Sequence, residues 1–215
     1  MKAREKVEAR NVRAELLPEQ SPELLKTLHL LTREGHLNAD ARRKLKQVNH
    51  LVGLVQPAMD DVFTRYPSPT VVDVGSGNSY LGFVLYELFF AKREAGELRN
   101  VESRSDLVKR SKERAAELHY ARMTFEEASI DASVLPERVH VLTALHACDT
   151  ATDDAIIQAI THKADHVALV TINRPAARNA VDGARGFTND ATIGMLRWDI
   201  PQSLVLCPGT DRKST

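Results

Sequence analysis

Apolar, strand-like runs alternate with amphipathic, helix-like stretches from Thr70 to about residue 172. The first run, Thr70 to Val74, is rich in β-branched residues and follows the helix breaker at 66–69, which predicts a buried strand. The same pattern predicts further strands at 98–102, 123–125, 139–145 and 166–172, and helices at 79–93, 105–119 and 151–161. Strands that alternate with helices predict an α/β fold with a mostly parallel sheet and right-handed connections.

The chain before this region is patterned for helices. Leucines at helical spacing follow a helix start at Ser21-Pro-Glu23. A second helix is predicted to begin near Asn38 and to run towards Pro57, and a further helical piece to span Met59 to Arg65. These segments predict a helical extension in front of the first strand.

The pattern loosens after Asn173. A helix is predicted at 174–182 and a loop at 183–190, followed by two terminal strands at 193–198 and 204–207. We therefore expect the C-terminal segment either to complete the sheet or to be irregular and partly disordered.

Composition limits the class of protein only a little. With 215 residues, 43% of them hydrophobic, and a formal net charge of zero, the chain suits one α/β domain with extensions, and its net charge does not argue for or against nucleic acid. Cations cluster at 42–46 and 109–114, where a solvated helix face is the common interpretation and an RNA or anion patch the alternative. Two cysteines are too few for a disulfide framework or a zinc site, and no signal peptide or membrane-spanning run is present, so we expect a cytoplasmic protein without a bound metal.

Candidate chemistry follows the first two predicted strands. Asp73 ends the first strand and is followed by Gly75 and Gly77, which allow a ligand to approach the backbone closely at the start of a helix. Glu102 ends the second strand, where a carboxylate can accept the two protons of a ribose hydroxyl pair. The alternative for Glu102 is an ordinary surface acid.

The residues around the glycines distinguish between cofactors. A nicotinamide-dinucleotide loop needs a third glycine where this chain has Tyr80. Asp73 would also repel a pyrophosphate, whereas it suits a sulfonium or amino group. Both features favour S-adenosylmethionine over NAD.

Three segments carry a family resemblance. The run Asp73-Val-Gly-Ser-Gly77 with Tyr80-Leu81 resembles motif I of class I S-adenosylmethionine-dependent methyltransferases. Together with Arg43–His50 and Leu145–Asp153, it makes residues 35–170 resemble the methyltransferase-domain family that includes the tRNA 2′-O-methyltransferase Trm-thirteen type. The resemblance implies a Rossmann-like class I methyltransferase sheet.

The resemblance also implies roles for single residues. Those assigned to the methionine part of the cofactor and the loop around it are Asp73, Gly75, Ser76, Gly77, Tyr80 and Leu81. Glu102 would hold the ribose, Ser129 and Ile130 would flank the adenine, and Leu145, His146 and Ala147 would line the floor beside the methyl group. His146 and Asp149 are the catalytic candidates on the acceptor side, with loop shaping and helix capping as the alternative.

The sequence beyond Val170 departs from this family. Thr171 to Gly183 resembles the opening of a crotonase domain, from which no function is transferred, because chance similarity and a rearranged, truncated gene both explain it. We expect an S-adenosylmethionine-dependent methyltransferase acting on RNA, or alternatively a catalytically impaired cofactor-binding or RNA-associated module. The expected division is a helical extension, a cofactor-binding domain and a divergent segment, at 1–66, 67–173 and 174–215.

Overall fold

The structure, a computed structural model, describes residues 13–32, 35–145, 150–171, 192–199 and 203–206. The helices are α1 Pro22–Thr27, α2 Ala39–Arg65, α3 Tyr80–Leu85, α4 Ser105–Glu117 and α5 Thr150–Thr161, and a π-helical turn at Tyr86–Phe90 continues α3. The strands are β1 Thr70–Val74, β2 Glu97–Glu102, β3 Met123–Glu127, β4 Val141–Leu145, β5 His166–Thr171, β6 Thr192–Asp199 and β7 Ser203–Leu206. Within these ranges, no helix has the length and apolar character needed to span a bilayer.

The strands form one sheet in the order β3-β2-β1-β4-β5-β6-β7. The first five strands are parallel, and β6 and β7 are antiparallel to their neighbours. The predicted α/β fold with a mostly parallel sheet is therefore confirmed, as is the terminal strand pair. The strand order changes direction between β1 and β4, and ligands of such sheets bind outside the carboxyl ends of the strands at this point.

Side chains alternate between the two faces of the sheet. Val72 and Val74 of β1 belong to the core beneath α5, with Ala155 and Ala159. Val71 instead belongs to the core that α2 and α3 cover. Asp73 is two residues after Val71 in the same strand, so its side chain lies on the same face of the sheet as Val71, the face that α2 covers.

Helix α2 is one helix of 27 residues. The prediction of two helical pieces divided near Pro57 was therefore wrong. Proline in a helix interior costs about 3 kcal/mol, but the buried face of α2 continues on both sides of it, with Val52 and Val55 before the proline and Met59 and Val62 after it. Packing against the sheet offsets the local cost.

The predicted helix at 79–93 also differs from the structure, because the α-helix ends at Leu85 and a π-helical turn follows. Within this turn, Glu87 accepts hydrogen bonds from the hydroxyls of Ser21, at 2.6 Å, and Tyr120, at 2.5 Å. Neither partner is near Glu87 in sequence. The turn thus joins the N-terminal segment to the region after α4.

A polar network fixes the end of α2 to the amino ends of the parallel strands. Asp61 Oδ2 lies 2.6 Å from His166 Nε2, at the start of β5, and 2.7 Å from the guanidinium of Arg65. Asp165, next to His166, accepts a 2.8 Å hydrogen bond from Arg138. Burial alone would raise the pKa of Asp61, but its hydrogen bonds to His166 and Arg65 outweigh burial and lower it.

We expect Asp61→Ala to lower the free energy of unfolding by about 1.5–3 kcal/mol at pH 7, the range for hydrogen bonds to a charged group. Because the folded pKa of Asp61 is lowered, its stabilisation is present above the unfolded value of about 3.9 and is lost as the pH falls through the folded value. Urea unfolding at pH 7 and pH 3 measures both effects. Asp106→Ala, which removes an exposed ion pair on α4, is the control and should cost less than about 1 kcal/mol; equal losses in the two variants would contradict the role of Asp61.

Candidate functional site

The loop between β1 and α3 has a conformation that its glycines make possible. Gly75 and Gly77 have φ values of 62° and 58°, in the left-handed region that favours glycine. The Ser76 amide donates to Val101 of β2 at 2.9 Å, and the hydroxyls of Ser76 and Ser79 lie 3.2 Å apart. The loop is thereby held between the carboxyl ends of β1 and β2.

Asp73 is a buried acid with an incomplete set of partners. Its exposed fraction is 1%, and its Oδ1 accepts a 2.7 Å hydrogen bond from the Thr143 hydroxyl. Its Oδ2 is buried and has no hydrogen-bond partner among the described residues. Burial raises the pKa of Asp73 to about 7, against the opposing effect of the Thr143 hydrogen bond. A cationic ligand group at Oδ2 would favour the ionised carboxylate and complete its hydrogen bonding.

Thr143 is a site residue that the sequence interpretation missed. It is fully buried in β4, and its Cα pairs with that of Asp73 across the β1–β4 junction. The available signal was a single hydroxyl in the otherwise apolar run 141–145. Because that hydroxyl occupies Oδ1, it leaves Oδ2 as the oxygen available to a ligand.

Glu102 is attached to the glycine loop. Its Oε2 accepts a 2.7 Å hydrogen bond from the Gly77 amide, and its Oε1 accepts bonds from the backbone amide and the Nε of Arg104, at 3.1 and 3.0 Å. Burial alone would raise the pKa of Glu102, but the hydrogen bonds from Arg104 and Gly77 outweigh it and lower that pKa. The Glu102 carboxylate is therefore ionised and can accept hydrogen bonds, which is what two neighbouring hydroxyl donors require.

Arg104 was also missed by the sequence interpretation. Its Nη2 lies 3.9 Å from the position that a Cβ on Gly77 would occupy, so the guanidinium lies over the glycine loop. Both of its bonds to Glu102 use Oε1, which leaves Oε2 with an acceptor position besides the one taken by Gly77. The Arg104 side chain is 64% exposed, so its displacement by a ligand would cost little.

The structure brings the predicted adenine residue Ile130 to the same loop. Its Cδ1 lies 3.6 Å from the position that a Cβ on Gly75 would take, and its carbonyl accepts a 2.9 Å bond from Gln158 of α5. Its neighbour Ser129 hydrogen bonds to Asp131, which lowers the pKa of that carboxyl. Asp73, Gly75, Gly77, Glu102 and Ile130 therefore form one group at the carboxyl edge of the sheet.

Other predicted site residues lie around this group. Leu81 is buried in the core beneath α2, and Leu145 is half-buried at the carboxyl end of β4. The Tyr80 hydroxyl is buried with no hydrogen-bond partner among the described residues, and burial raises its pKa to about 12. The predicted residues His146, Ala147 and Asp149 lie outside the described residues, so their roles stay predictions.

Close packing of α3 on β2 depends on a glycine that the sequence interpretation did not use. A Cβ on Gly82 would lie 2.3 Å from Oδ1 of Asn100 and 3.1 Å from Met123. A dinucleotide-binding loop would have a glycine at the position of Tyr80 to allow close packing of helix and strand. In this chain Gly82, two residues later, allows that close packing. This packing sets the start of α3 close to the strands that carry the two acids.

The described part of the site fits S-adenosylmethionine. Asp73 offers a buried acceptor without a partner to a cationic group, the two glycines leave room beside the backbone, and Glu102 offers an ionised acceptor to a hydroxyl pair. A pyrophosphate beside the glycine loop would be repelled by Asp73 in its ionised form, which disfavours a dinucleotide.

Comparison with known proteins gives a family match. A family described as a methyltransferase domain matches residues 43–171, from within α2 to the end of β5. A glutathione S-transferase C-terminal domain-containing protein of Xenopus laevis is 31% identical over 121 residues, 56% of this chain and 18% of that protein. Its Mus musculus namesake is 29% identical over 136 residues, 63% of this chain and 20% of that protein. The chain thus spans about a fifth of the length of the curated relatives it matches.

Among solved structures, an rRNA methylase from Streptococcus thermophilus superimposes with a TM-score of 0.47 at 12% identity. The superposition covers 66% of this chain and 95% of that chain.

The ligand-free wild type should become less stable as the pH rises, because Asp73 must ionise in a buried position. We expect Asp73→Asn to abolish this dependence on pH. Because the folded pKa is about 7 and the unfolded pKa about 3.9, the folded state binds the proton more tightly, so wild-type stability falls as the pH rises from 4 to 7. The difference in free energy of unfolding between the variant and the wild type should therefore change by roughly 2–3 kcal/mol, in favour of the variant, from pH 5 to pH 8. Urea unfolding across this range measures the difference.

Thr143→Val serves as the companion variant. It removes the hydrogen bond that favours the carboxylate and so raises the folded pKa further; the pH-dependent loss should therefore extend to higher pH, while Thr143→Ser should behave as wild type. Parallel pH profiles for Asp73→Asn and wild type would contradict the account of this buried acid.

Proposed function

The chain belongs to the methyltransferase-domain family matched over residues 43–171, and from that premise we propose that it binds S-adenosylmethionine and transfers its methyl group to an RNA acceptor. The observation that carries the cofactor proposal is the buried, unpartnered Oδ2 of Asp73 beside the glycine loop. A cation next to a buried carboxylate of this kind offsets the free-energy cost of burying its charge. S-adenosylmethionine carries two such groups, a sulfonium and an ammonium.

Further residues of the chain would hold the nucleoside. Glu102 would accept hydrogen bonds from the ribose hydroxyls, since it is ionised and its Oε2 has acceptor capacity. Ile130 would offer an apolar surface to the adenine. Arg104 would keep Glu102 ionised and oriented until the ligand takes its place at the carboxylate.

The cofactor, when bound, supplies a methyl group that is already activated by the sulfonium. The chain's own contribution is therefore mainly to bind, orient and exclude water, rather than to supply strong acid–base chemistry. Asp73 and Thr143 would fix the cationic end, and Glu102 the nucleoside end. We propose His146 and Asp149 for the acceptor side, from the resemblance of Leu145–Asp153.

RNA as the acceptor rests on the resemblance to the tRNA 2′-O-methyltransferase Trm-thirteen type. A second candidate is a module that binds the cofactor or RNA without transferring the methyl group. The departure of 171–183 from the family pattern favours that second candidate. The two candidates share the cofactor site and differ in the product.

Calorimetric titration with S-adenosylmethionine tests the cofactor site. Wild type should bind, and Asp73→Asn and Glu102→Gln should each weaken binding at least about tenfold, because each removes a charge-assisted contact worth roughly 1.5–3 kcal/mol. Glu127→Gln is the matched control, since Glu127 ends β3 and pairs in register with Glu102. S-adenosylhomocysteine, which lacks the sulfonium charge, shows which cation Asp73 contacts: a loss confined to S-adenosylmethionine identifies the sulfonium and an equal loss the ammonium. Undiminished affinity in Asp73→Asn would refute the proposed site.

Transfer is tested separately, with radiolabelled methyl donor and cell extract. We expect labelled product that disappears on RNase treatment and is not formed by Asp73→Asn. Label that survives RNase but not protease would assign a protein acceptor. Cofactor binding without labelled product in any fraction would favour the non-catalytic module.

A further inference from the structure

Beyond its first turn, the solvent face of α2 carries cations and no acids as far as Met59. From Ala41 to Met59 the sequence contains no Asp or Glu, although the chain as a whole has 29 acidic and 29 basic residues. The exposed cations of this stretch, which we call the basic face of α2, are Arg42, Arg43, Lys44 and Lys46. The acids that balance the chain are therefore elsewhere.

The second cationic cluster, on α4, provides a contrast. Its cations Lys109, Arg110 and Lys112 share the helix with Asp106 and Glu113, and Arg110 pairs with Asp106. Such mixed charge is typical of a solvated helix surface.

On the basic face of α2, Lys44 pairs with Asp40 at 3.3 Å. Within the ranges that the structure describes, Arg42, Arg43 and Lys46 take part in no ion pair. Their charge is available to a partner.

Packing fixes the direction of the basic face. Ala41 and Leu45 are buried on the opposite side of the same turns. One turn further, the Asn49 side chain both accepts from the Leu16 amide, at 2.8 Å, and donates to the Leu16 carbonyl, at 3.1 Å. Leu16 is itself fully buried. The helix cannot rotate about its axis without breaking these contacts, so the cations face solvent.

The basic face lies towards the edge of the sheet that carries the acids. Asp61 of α2 is fixed to His166, at the amino end of β5. From Asp61 back to Lys46 the helix rises about 22 Å at roughly 1.5 Å per residue, whereas the six residues of β5 span roughly 17–20 Å. The buried residues of α2 extend from Ala41 to Val62, and only residues 66–69 separate the helix from β1, so α2 runs antiparallel to the strands. Lys46 therefore reaches the level of the carboxyl ends, on the face of the sheet that holds Asp73.

We propose that the basic face of α2 docks the phosphate backbone of the RNA acceptor beside the cofactor site, an inference that rests on the proposed function. Three exposed cations outside any described ion pair, with no acid in the sequence from Ala41 to Met59, suit the closely spaced phosphates of a nucleic acid backbone. The exposed residues that continue the face, Gln47 and His50, are polar. With no apolar side chain to insert, the face lacks the amphipathic pattern of a membrane-surface helix.

The test compares two double neutralisations, Arg43→Gln with Lys46→Gln on α2 and Lys109→Gln with Lys112→Gln on α4. All four side chains are exposed, so both variants should fold as wild type does. Fluorescence anisotropy with labelled total tRNA measures binding between 50 and 300 mM salt, and calorimetry with S-adenosylhomocysteine measures the cofactor site in the same samples. The α2 variant should bind tRNA about tenfold more weakly at 100 mM salt, with a salt slope smaller by about two, and the α4 variant should match wild type.

The outcomes distinguish failure of the docking proposal from failure of the proposed cofactor. No tRNA binding by wild type, or equal weakening in the two variants, would overturn the docking proposal. Binding to vesicles containing phosphatidylserine but not to tRNA would overturn it in favour of a membrane surface. If wild type binds tRNA through α2 but binds neither S-adenosylhomocysteine nor S-adenosylmethionine, the docking proposal stands and the proposed cofactor is wrong.

Discussion

Asp73 and Thr143 meet across the junction of β1 and β4, and the arrangement of the site depends on this contact. Burying a carboxylate is costly unless it is paired or hydrogen-bonded, and here one hydroxyl supplies a single bond to Oδ1. The surrounding valines of β1 are fully buried, so the acid lies in an apolar part of the sheet. Among the described residues the second oxygen of Asp73 has no partner, which is the property expected of a ligand contact.

The opposite edge of the sheet supplies the rigidity that this requires. The contact of Asp61 with His166 and the ion pair of Arg138 with Asp165 attach α2 and the region before β4 to the amino ends of the strands. In the described part of the carboxyl edge, the two acids are held by the bond of Thr143 to Asp73 and by the bonds of Gly77 and Arg104 to Glu102. Stabilising contacts at one edge leave the acids of the other available to a ligand.

The sequence was sufficient for features that depend on neighbours along the chain. The strand Thr70–Val74 and the positions of Gly75 and Gly77 follow from β-branched runs and from turn chemistry, and the parallel arrangement of the strands follows from their alternation with helices. Thr143 and Arg104 could not be assigned in this way, because their roles depend on pairing between strands and on a side chain that folds back over a loop. The continuity of α2 through Pro57 was missed for a related reason: its buried face gains more from the sheet than the proline costs locally.

The two acids of the site have opposite pKa shifts, and this difference has consequences for ligand choice. Glu102 is stabilised as an anion by the protein itself and can accept hydrogen bonds from any neutral nucleoside. Asp73 is destabilised as an anion and becomes favourable only when a positive charge arrives. A neutral nucleoside would therefore use Glu102 and leave Asp73 unsatisfied, and the pyrophosphate of a dinucleotide would be repelled by the ionised Asp73. A ligand that joins a ribose to a cation would satisfy both, so the selectivity that we propose rests on the pair of acids rather than on either alone.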